Sequence, residues 1–168
     1  TPVYDGKPQI VTRATPPRFP TCRRAEKPAS TPNSPNRRKG ERGLIFCRTK
    51  HGAMDLCREL KDIGLAVEVL QGDLMQKERD KVMRAFKKQR VQFVVATDVA
   101  ARGIDVAGLT FVIHHQLPDQ IEYYTHRSGR TARAGNKGMS LALIEPNEKP
   151  LLTELENKLR VKFSEWRR

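Results

Sequence analysis

An arginine-rich segment is the densest group of chemically capable side chains in the sequence. Residues 126–133 read His-Arg-Ser-Gly-Arg-Thr-Ala-Arg, so Arg127, Arg130 and Arg133 recur at intervals of three. A guanidinium is permanently charged and can grip two phosphate oxygens at once, which a lysine cannot do. Gly129 permits the backbone to turn and to approach a ligand closely. The segment alone favours phosphate binding, although a solvated basic helix end has the same composition.

A second segment combines small residues, a hydroxyl, glycine and carboxylates. Residues 96–105 read Ala-Thr-Asp-Val-Ala-Ala-Arg-Gly-Ile-Asp. Small side chains and Gly103 would permit a phosphate backbone to lie on main-chain N–H groups. Asp105 could accept a hydrogen bond from a ribose hydroxyl. A structural alternative stays open, in which Asp98 or Asp105 only caps the following helix.

The hydrophobic pattern from residue 43 onward alternates short apolar runs with helical periodicity. Five strands are predicted, at 44–47, 67–70, 93–96, 111–114 and 139–144. Helices are predicted over 53–63, with Gly64 as a stop signal, over 76–88, from Pro118 through His126, and over 151–163. This alternation is typical of an α/β fold with a mainly parallel sheet covered on both faces.

In such a sheet, ligands gather beyond the carboxyl ends of the strands. The segments directly after strands are Arg48–Lys50, Gln71–Asp73 and Thr97–Asp105. The arginine-rich segment must lie near the same edge if it acts with them. The pattern therefore predicts one composite site along this edge.

The charge of the chain favours a polyanionic partner. It has 168 residues and a net charge of +13, from 32 Lys+Arg against 19 Asp+Glu. This balance favours nucleic acid over a small neutral ligand. No apolar run approaches the ~20 residues that a membrane span requires, so no membrane association is expected. The first residue is Thr1, which suggests a fragment, and we expect this fragment to be monomeric.

The cysteines do not suggest a metal site. The three residues, Cys22, Cys47 and Cys57, are odd in number and lack metal-ligand spacing. Cys47 and Cys57 lie within apolar patterns and are interpreted as core residues. Reduced thiols are compatible with a cytoplasmic protein.

Residues 1–42 differ in composition from residues 43–168, which form the predicted domain. The first 43 residues hold eight of the eleven prolines and ten Lys+Arg against three acids. No sustained period is present, so this stretch is predicted to be a mostly disordered basic tail. It could bind RNA loosely or serve only as a linker. Val3–Tyr4 or Gln9–Thr12 could supply a short strand.

Four segments, in this order and spacing, resemble the C-terminal RecA-like domain of DEAD-box RNA helicases. LIFCRTK at 44–50 is similar to motif IV, and QGDLMQKERD at 71–80 to the RNA-contacting segment that follows it. VATDVAARGIDV at 95–106 resembles motif V, and HRSGRTARAG at 126–135 resembles motif VI. The resemblance covers residues 43–163 and implies a RecA-like three-layer αβα sandwich of about five strands.

The resemblance implies one side of an ATP site. Arg130 and Arg133 would act as arginine fingers on the γ-phosphate. Asp105 would hold the ribose, His126 would couple the nucleotide site to the closed state, and Arg127 would support that network. Arg102 lies close to the junction. ATP and Mg²⁺ are the implied cofactors, with Mg²⁺ held by a separate N-terminal RecA-like domain.

The resemblance also implies binding to the sugar-phosphate backbone of RNA. The implied contact residues are Thr49, Gly72, Arg79, Thr97 and Gly103. Contacts of this kind predict binding that is independent of base sequence.

Two features depart from the family pattern. The sequence has no Gly-x-x-x-x-Gly-Lys-Ser/Thr loop and no Asp-Glu-Ala-Asp, so this fragment alone is expected not to hydrolyse ATP. Residues 1–42 resemble neither the strand nor the helix that family members place there. The expected function is therefore the C-terminal half of an ATP-dependent RNA helicase. The alternatives are a non-catalytic RNA-binding module and, less compatible with motif VI, a DNA helicase.

Two pairs of consecutive ring-bearing residues in the second half of the chain are interpreted as structural. His114 and His115 end a predicted strand, and we expect them to pack there. Tyr123 and Tyr124 could stack on a base, but the helical pattern favours packing of one ring on the sheet.

Overall fold

The fold was analysed in a computed structural model of the chain. It describes residues 9–12, 42–102, 109, 111–118, 120–128, 139–160 and 162–165. Seven strands and four helices lie within these ranges. The strands are β1 (Gln9–Thr12), β2 (Gly43–Cys47), β3 (Val67–Leu70), β4 (Phe93–Thr97), β5 (Phe111–His114), β6 (Met139–Ile144) and β7 (Ser164–Glu165). The helices are α1 (Lys50–Asp62), α2 (Gln76–Lys87), α3 (Ile121–Ser128) and α4 (Lys149–Leu159).

The described strands form one sheet in the order β3-β4-β2-β5-β6-β1-β7. Each described pairing is parallel. All five strands predicted from the sequence are present within a residue of their predicted bounds. The predicted α/β class with a parallel sheet is confirmed.

Helices cover both faces of the sheet, because alternate residues of a strand point to opposite sides. On one face, α1 packs Ala53, Leu56 and Leu60 against Ile45 and Val95. On the other face, α2 places Phe86 against alternate strand residues, namely Leu44, Phe46, Val94, Ala96 and Val112. The three-layer arrangement expected from the resemblance is therefore present.

The second face continues under α3 and α4. Tyr124 of α3 and Leu152 and Leu155 of α4 form a third cluster with Ala142 and Ile144 of β6. Tyr124 is 4 % exposed and stacks on His114, with ring centroids 4.6 Å apart. The expected packing of His114 and of one tyrosine is confirmed.

Part of the predicted tail belongs to the sheet. Gln9–Thr12 pairs with β6 on one side and with β7 on the other. The substitute strand suggested for these residues is confirmed, so the prediction of disorder does not hold for them. Val3–Tyr4 and residues 13–41 lie outside the described residues.

The last helix ends earlier than the sequence predicted. Helix α4 ends at Leu159, and Arg160 adopts the left-handed conformation with φ 52°. The chain then turns, and Phe163 meets the Tyr124 ring edge-on at 5.6 Å. The apolar spacing of Phe163 fitted a helix, but the same side chain reaches the core from the residue just before β7.

No helix within the described ranges has the length and apolarity needed to cross a membrane.

Candidate functional site

The predicted RNA-contacting residues follow three neighbouring strands. Gly72, Thr97 and Thr49 lie at or just beyond the ends of β3, β4 and β2, which are adjacent in the sheet. Adjacent strands are about 4.8 Å apart. The three residues therefore follow one another along the carboxyl edge, an arrangement that matches an extended backbone lying across the strands.

Two local contacts shape this part of the edge. Thr49 caps α1, because its hydroxyl accepts a hydrogen bond from the Gly52 N–H at 3.1 Å. Lys50 pairs with Asp73 at 2.7 Å, and both side chains are exposed. Gly72 is exposed, and a Cβ atom placed there would meet no atom within 4 Å. The edge is thus accessible at Gly72, and the first turn of α1 beside it is held in place by the Thr49 cap.

Arg79 joins α2 to the loop after β4. One terminal nitrogen of its guanidinium donates to the Ala100 carbonyl at 2.9 Å. Ala100 in turn donates its N–H to the Thr97 hydroxyl at 3.4 Å. Because a guanidinium has five N–H donors, this contact orients Arg79 without using its full capacity. Arg79 and Thr97 therefore belong to one connected part of the edge.

Arg127 lies inside the domain and binds the segment after β4. Its side chain is 1 % exposed, and it donates to both carboxylate oxygens of Asp98, at 2.6 and 2.7 Å. It also donates to the Gln116 carbonyl at 2.7 Å. The guanidinium carbon lies 5.1 Å from the Phe46 ring centroid. The 98–102 turn and α3 are thereby joined by a bidentate ion pair.

His114 completes this buried network in a neutral state. Burial, with the charge of Arg127 adding to it, lowers the pKa of His114 to about 3. A guanidinium nitrogen of Arg127 lies 3.5 Å from Nδ1 and can only donate, so Nδ1 accepts. The proton then resides on Nε2, which lies 3.2 Å from the Ser140 hydroxyl. His114 therefore links Arg127 to strand β6.

A small pocket of about 60 Å³ opens beside the ion pair. It is lined by Phe46, Asp98, Ala101, Arg102, Tyr123, His126 and Arg127. Arg102 and His126 are exposed, whereas Arg127 is buried. Sites that hold a whole nucleotide-sized ligand are several times larger. Because Asp98 pairs with Arg127, the exposed Arg102 is the arginine available to an anion, and a pocket of this size cannot enclose a triphosphate by itself.

Four predicted site residues lie outside the described residues. They are Gly103, Asp105, Arg130 and Arg133. In the sequence, Gly103 and Asp105 follow the turn that contains Asp98, and Arg130 and Arg133 follow the end of α3. The Asp98–Arg127 pair thus joins the two segments from which these residues continue.

The pairing of Asp98 with Arg127 was missed from the sequence. Asp98 was considered only as a possible helix cap, and Arg127 as a support for nucleotide binding. A buried arginine requires a partner of opposite charge. The carboxylate of Asp98, directly after a predicted strand, was the sequence feature that could have indicated this partner. The cofactor contact of Arg127 itself stays a prediction.

Comparison with known proteins places the chain in a family. A family model described as the helicase conserved C-terminal domain matches residues 26–135. The crystal structure of the E. coli DEAD-box protein SrmB, bound to the regulator of ribonuclease activity A, superposes with a TM-score of 0.74 and 31 % identity. The match covers 79 % of this chain and 78 % of that chain. The chain belongs to the DEAD-box family.

Within the DEAD-box family, it corresponds to the C-terminal domain. The ATP-dependent RNA helicase DbpA of Bacillus subtilis is 44 % identical over 113 residues, which are 67 % of this chain and 24 % of that protein. S. cerevisiae Dbp5, solved with RNA and ADP BeF3, matches with a TM-score of 0.71 and 30 % identity, over 76 % of this chain and 35 % of that one. The chain spans about a quarter of the length of DbpA.

Proposed function

We propose that this chain is the mobile half of an ATP-dependent RNA helicase, which supplies arginine fingers to an ATP site completed by an N-terminal RecA-like domain. DbpA is named as an ATP-dependent RNA helicase, and Dbp5 was solved with RNA and a nucleotide. The same activity in this chain would require both halves. The phosphate loop and the Mg²⁺ ligands would come from the other half.

The Asp98–Arg127 ion pair is the observation that carries the proposal. It fixes the last turn of α3 to the turn after β4, and it is nearly fully buried on the arginine side. Residues 129–133 leave the end of α3, and residues 103–105 leave that turn. Arg130 and Arg133 would then face the γ-phosphate while Asp105 holds the ribose.

The role of the fingers is electrostatic. A guanidinium placed at the γ-phosphate neutralises charge that develops during phosphoryl transfer. Arg102 and His126 line the pocket beside the ion pair and are exposed, so they would contact the nucleotide or the closed partner domain. Arg127 would act on them indirectly, as a positioning residue.

RNA would cross the neighbouring part of the same edge. Thr49, Gly72 and Thr97 follow adjacent strands, and Arg79 is oriented over the same loop. Gly103 would extend this track. Closure of the two halves over ATP would then bend one RNA strand and separate a short duplex.

The direct test is RNA-stimulated ATP hydrolysis by the full-length parent protein. We expect Arg130→Ala and Arg133→Ala to reduce kcat by about 10³-fold or more, because each removes a finger. Binding of RNA by the domain should change much less, because neither arginine lies on the proposed track.

Arg58→Ala is the matched control, since Arg58 is 72 % exposed on α1 and pairs only loosely with Asp55 at 3.7 Å. Normal hydrolysis by both finger variants would refute the assignment. Absence of hydrolysis in the wild-type parent, with RNA binding retained, would favour the non-catalytic RNA-binding module instead.

A further inference from the structure

The outer side of α2 carries a row of exposed cations. Lys77, Lys81, Arg84 and Lys88 recur at i, i+4, i+7 and i+11, and all four are exposed. At 100° per residue they fall within an arc of about 60°, and Phe86 lies on the opposite side of the helix. We call this row the basic face of α2. Its axial length is about 16 Å.

Within the described ranges, the acids of α2 form no ion pair with this face. The Glu78 carboxylate accepts a hydrogen bond from the Met75 N–H at 3.1 Å, as part of the helix cap. Asp80 accepts one from the Gln76 side chain at 2.9 Å. Among the residues that the structure describes, the ion pairs found do not include any cation of the basic face.

Neighbouring cations in this row repel one another. Like charges at i and i+4 destabilise a helix by about 0.2–0.5 kcal/mol per pair. The four charges lie within about two Debye lengths at physiological ionic strength, so their fields reinforce one another. The packing of α2 does not need them, because Phe86, Val82 and Met83 face the core. A row of this kind suits a ligand with regularly spaced negative charges.

The basic face begins beside the proposed RNA track and leads away from it. Helix α2 connects β3 to β4, which are parallel neighbours, so it runs from the carboxyl edge of the sheet back to the amino edge. Lys77 is in the first turn, five residues after Gly72, and Lys88 follows the last turn. A groove of about 350 Å³ lies beside this row, and it is lined by Lys77 and Arg84 of the basic face together with Asp80, Met83 and Lys87.

We infer that the basic face of α2 binds the phosphate backbone of RNA that extends beyond the track across the strand ends. This inference rests on the proposed function and adds a second RNA-binding surface to it. Three of the four cations are lysines, which act as point charges without bidentate geometry. Binding there is therefore electrostatic and independent of base sequence.

The test compares two uridine oligonucleotides on the full 168-residue chain by fluorescence anisotropy. One is short enough to be held by the track alone, and the other is extended at both ends so that it reaches the far end of α2. The variant is Lys81→Gln, Arg84→Gln and Lys88→Gln together, which leaves Lys77 beside the track in place. Glutamine keeps a similar helix propensity.

We expect the triple variant to bind the long RNA at least about tenfold more weakly. When the logarithm of the binding constant is plotted against the logarithm of the salt concentration, the slope for the triple variant should be smaller in magnitude by about 2. Each lost phosphate contact removes about 0.7 from this slope. Affinity for the short RNA should be unchanged. The control removes three cations elsewhere, Arg58→Gln, Lys61→Gln and Lys158→Gln, which form exposed ion pairs in the chain.

The outcomes separate this inference from the proposed function. If the long and short RNAs are affected equally, or if the control weakens binding as much, the basic face is not a second surface. Polyglutamate is measured in parallel as an acidic polypeptide. If the triple variant weakens only its binding, the face serves an acidic protein and the inference is wrong. If the wild-type chain binds neither RNA, the proposed function fails as well.

Discussion

Arg127 and Asp98 are 29 residues apart in the sequence, and their ion pair is the most buried charged contact between described residues. The guanidinium donates to a carboxylate, to the Gln116 carbonyl and to the His114 ring. A buried ion pair adds little net stability compared with an apolar pair, but the loss of one partner is costly. The pair therefore specifies geometry: it sets where α3 and the turn after β4 meet.

This contact yields a prediction about stability. Arg127→Met leaves the Asp98 carboxylate without its cation at a largely buried position, and we expect it to lower the free energy of unfolding by about 3 kcal/mol. Asp98→Asn should also be destabilising. The double variant should lose less than the sum of the two, by about 1–3 kcal/mol, because the partners interact directly. Urea unfolding of the four proteins measures this coupling.

The exposed pair of Arg58 and Asp55 supplies the comparison. Its atoms are 3.7 Å apart and both side chains are mostly in solvent, so Arg58→Met should change stability little. Strict additivity at Asp98 and Arg127 would show that the two residues do not act as a pair.

At the scale of elements, the sequence predicts most of the fold because its patterns are local. Apolar runs located the five strands β2 to β6, and Gly64, with φ 89°, marked the end of α1. Partners that are distant in sequence were not predictable in the same way. The end of α4 was misplaced, because Phe163 has the right spacing for a helix and packs on Tyr124 from outside it.

In the candidate site too, the features set by local sequence were predictable and the contacts between distant residues were not. Residues that follow strands could be assigned to one edge of the sheet, because parallel strands share a carboxyl end. The burial of Arg127 could not be predicted, since the arginines of its segment look alike in sequence. The burial of Arg127 follows from the packing of α3 against Phe46 and His114.

The end of α4 leads to a second prediction, which belongs to this scale. Arg160 follows the helix in the left-handed conformation, which costs a residue with a side chain about 1 kcal/mol and costs glycine almost nothing. Arg160→Gly should therefore raise the free energy of unfolding, by up to about 1 kcal/mol.

The control for this substitution is Arg58→Gly within α1, which should lower the free energy of unfolding by about 1 kcal/mol. Both are measured by chemical denaturation. Destabilisation by Arg160→Gly would mean that the side chain of Arg160 contributes more than its backbone conformation costs.

At the scale of the whole molecule, three surfaces of the chain have proposed functions, and one of the three requires a second domain. The edge over β3, β4 and β2 and the basic face of α2 both suit RNA and lie within the domain. The surface around the Asp98–Arg127 pair is different, because its pocket of about 60 Å³ is too small for a nucleotide. The sequence also contains no phosphate loop. We therefore propose that the ATP site forms only when this chain meets an N-terminal RecA-like domain.

The most direct test of this central claim is RNA-stimulated ATP hydrolysis by divided proteins. The samples are this chain, the N-terminal half of the parent, and the two halves joined by a flexible linker, which keeps their effective concentration in the millimolar range. We predict negligible hydrolysis by either half alone and RNA-dependent hydrolysis by the linked protein, lost when this chain carries Arg133→Ala. Hydrolysis by the N-terminal half that equals that of the linked protein would contradict the account.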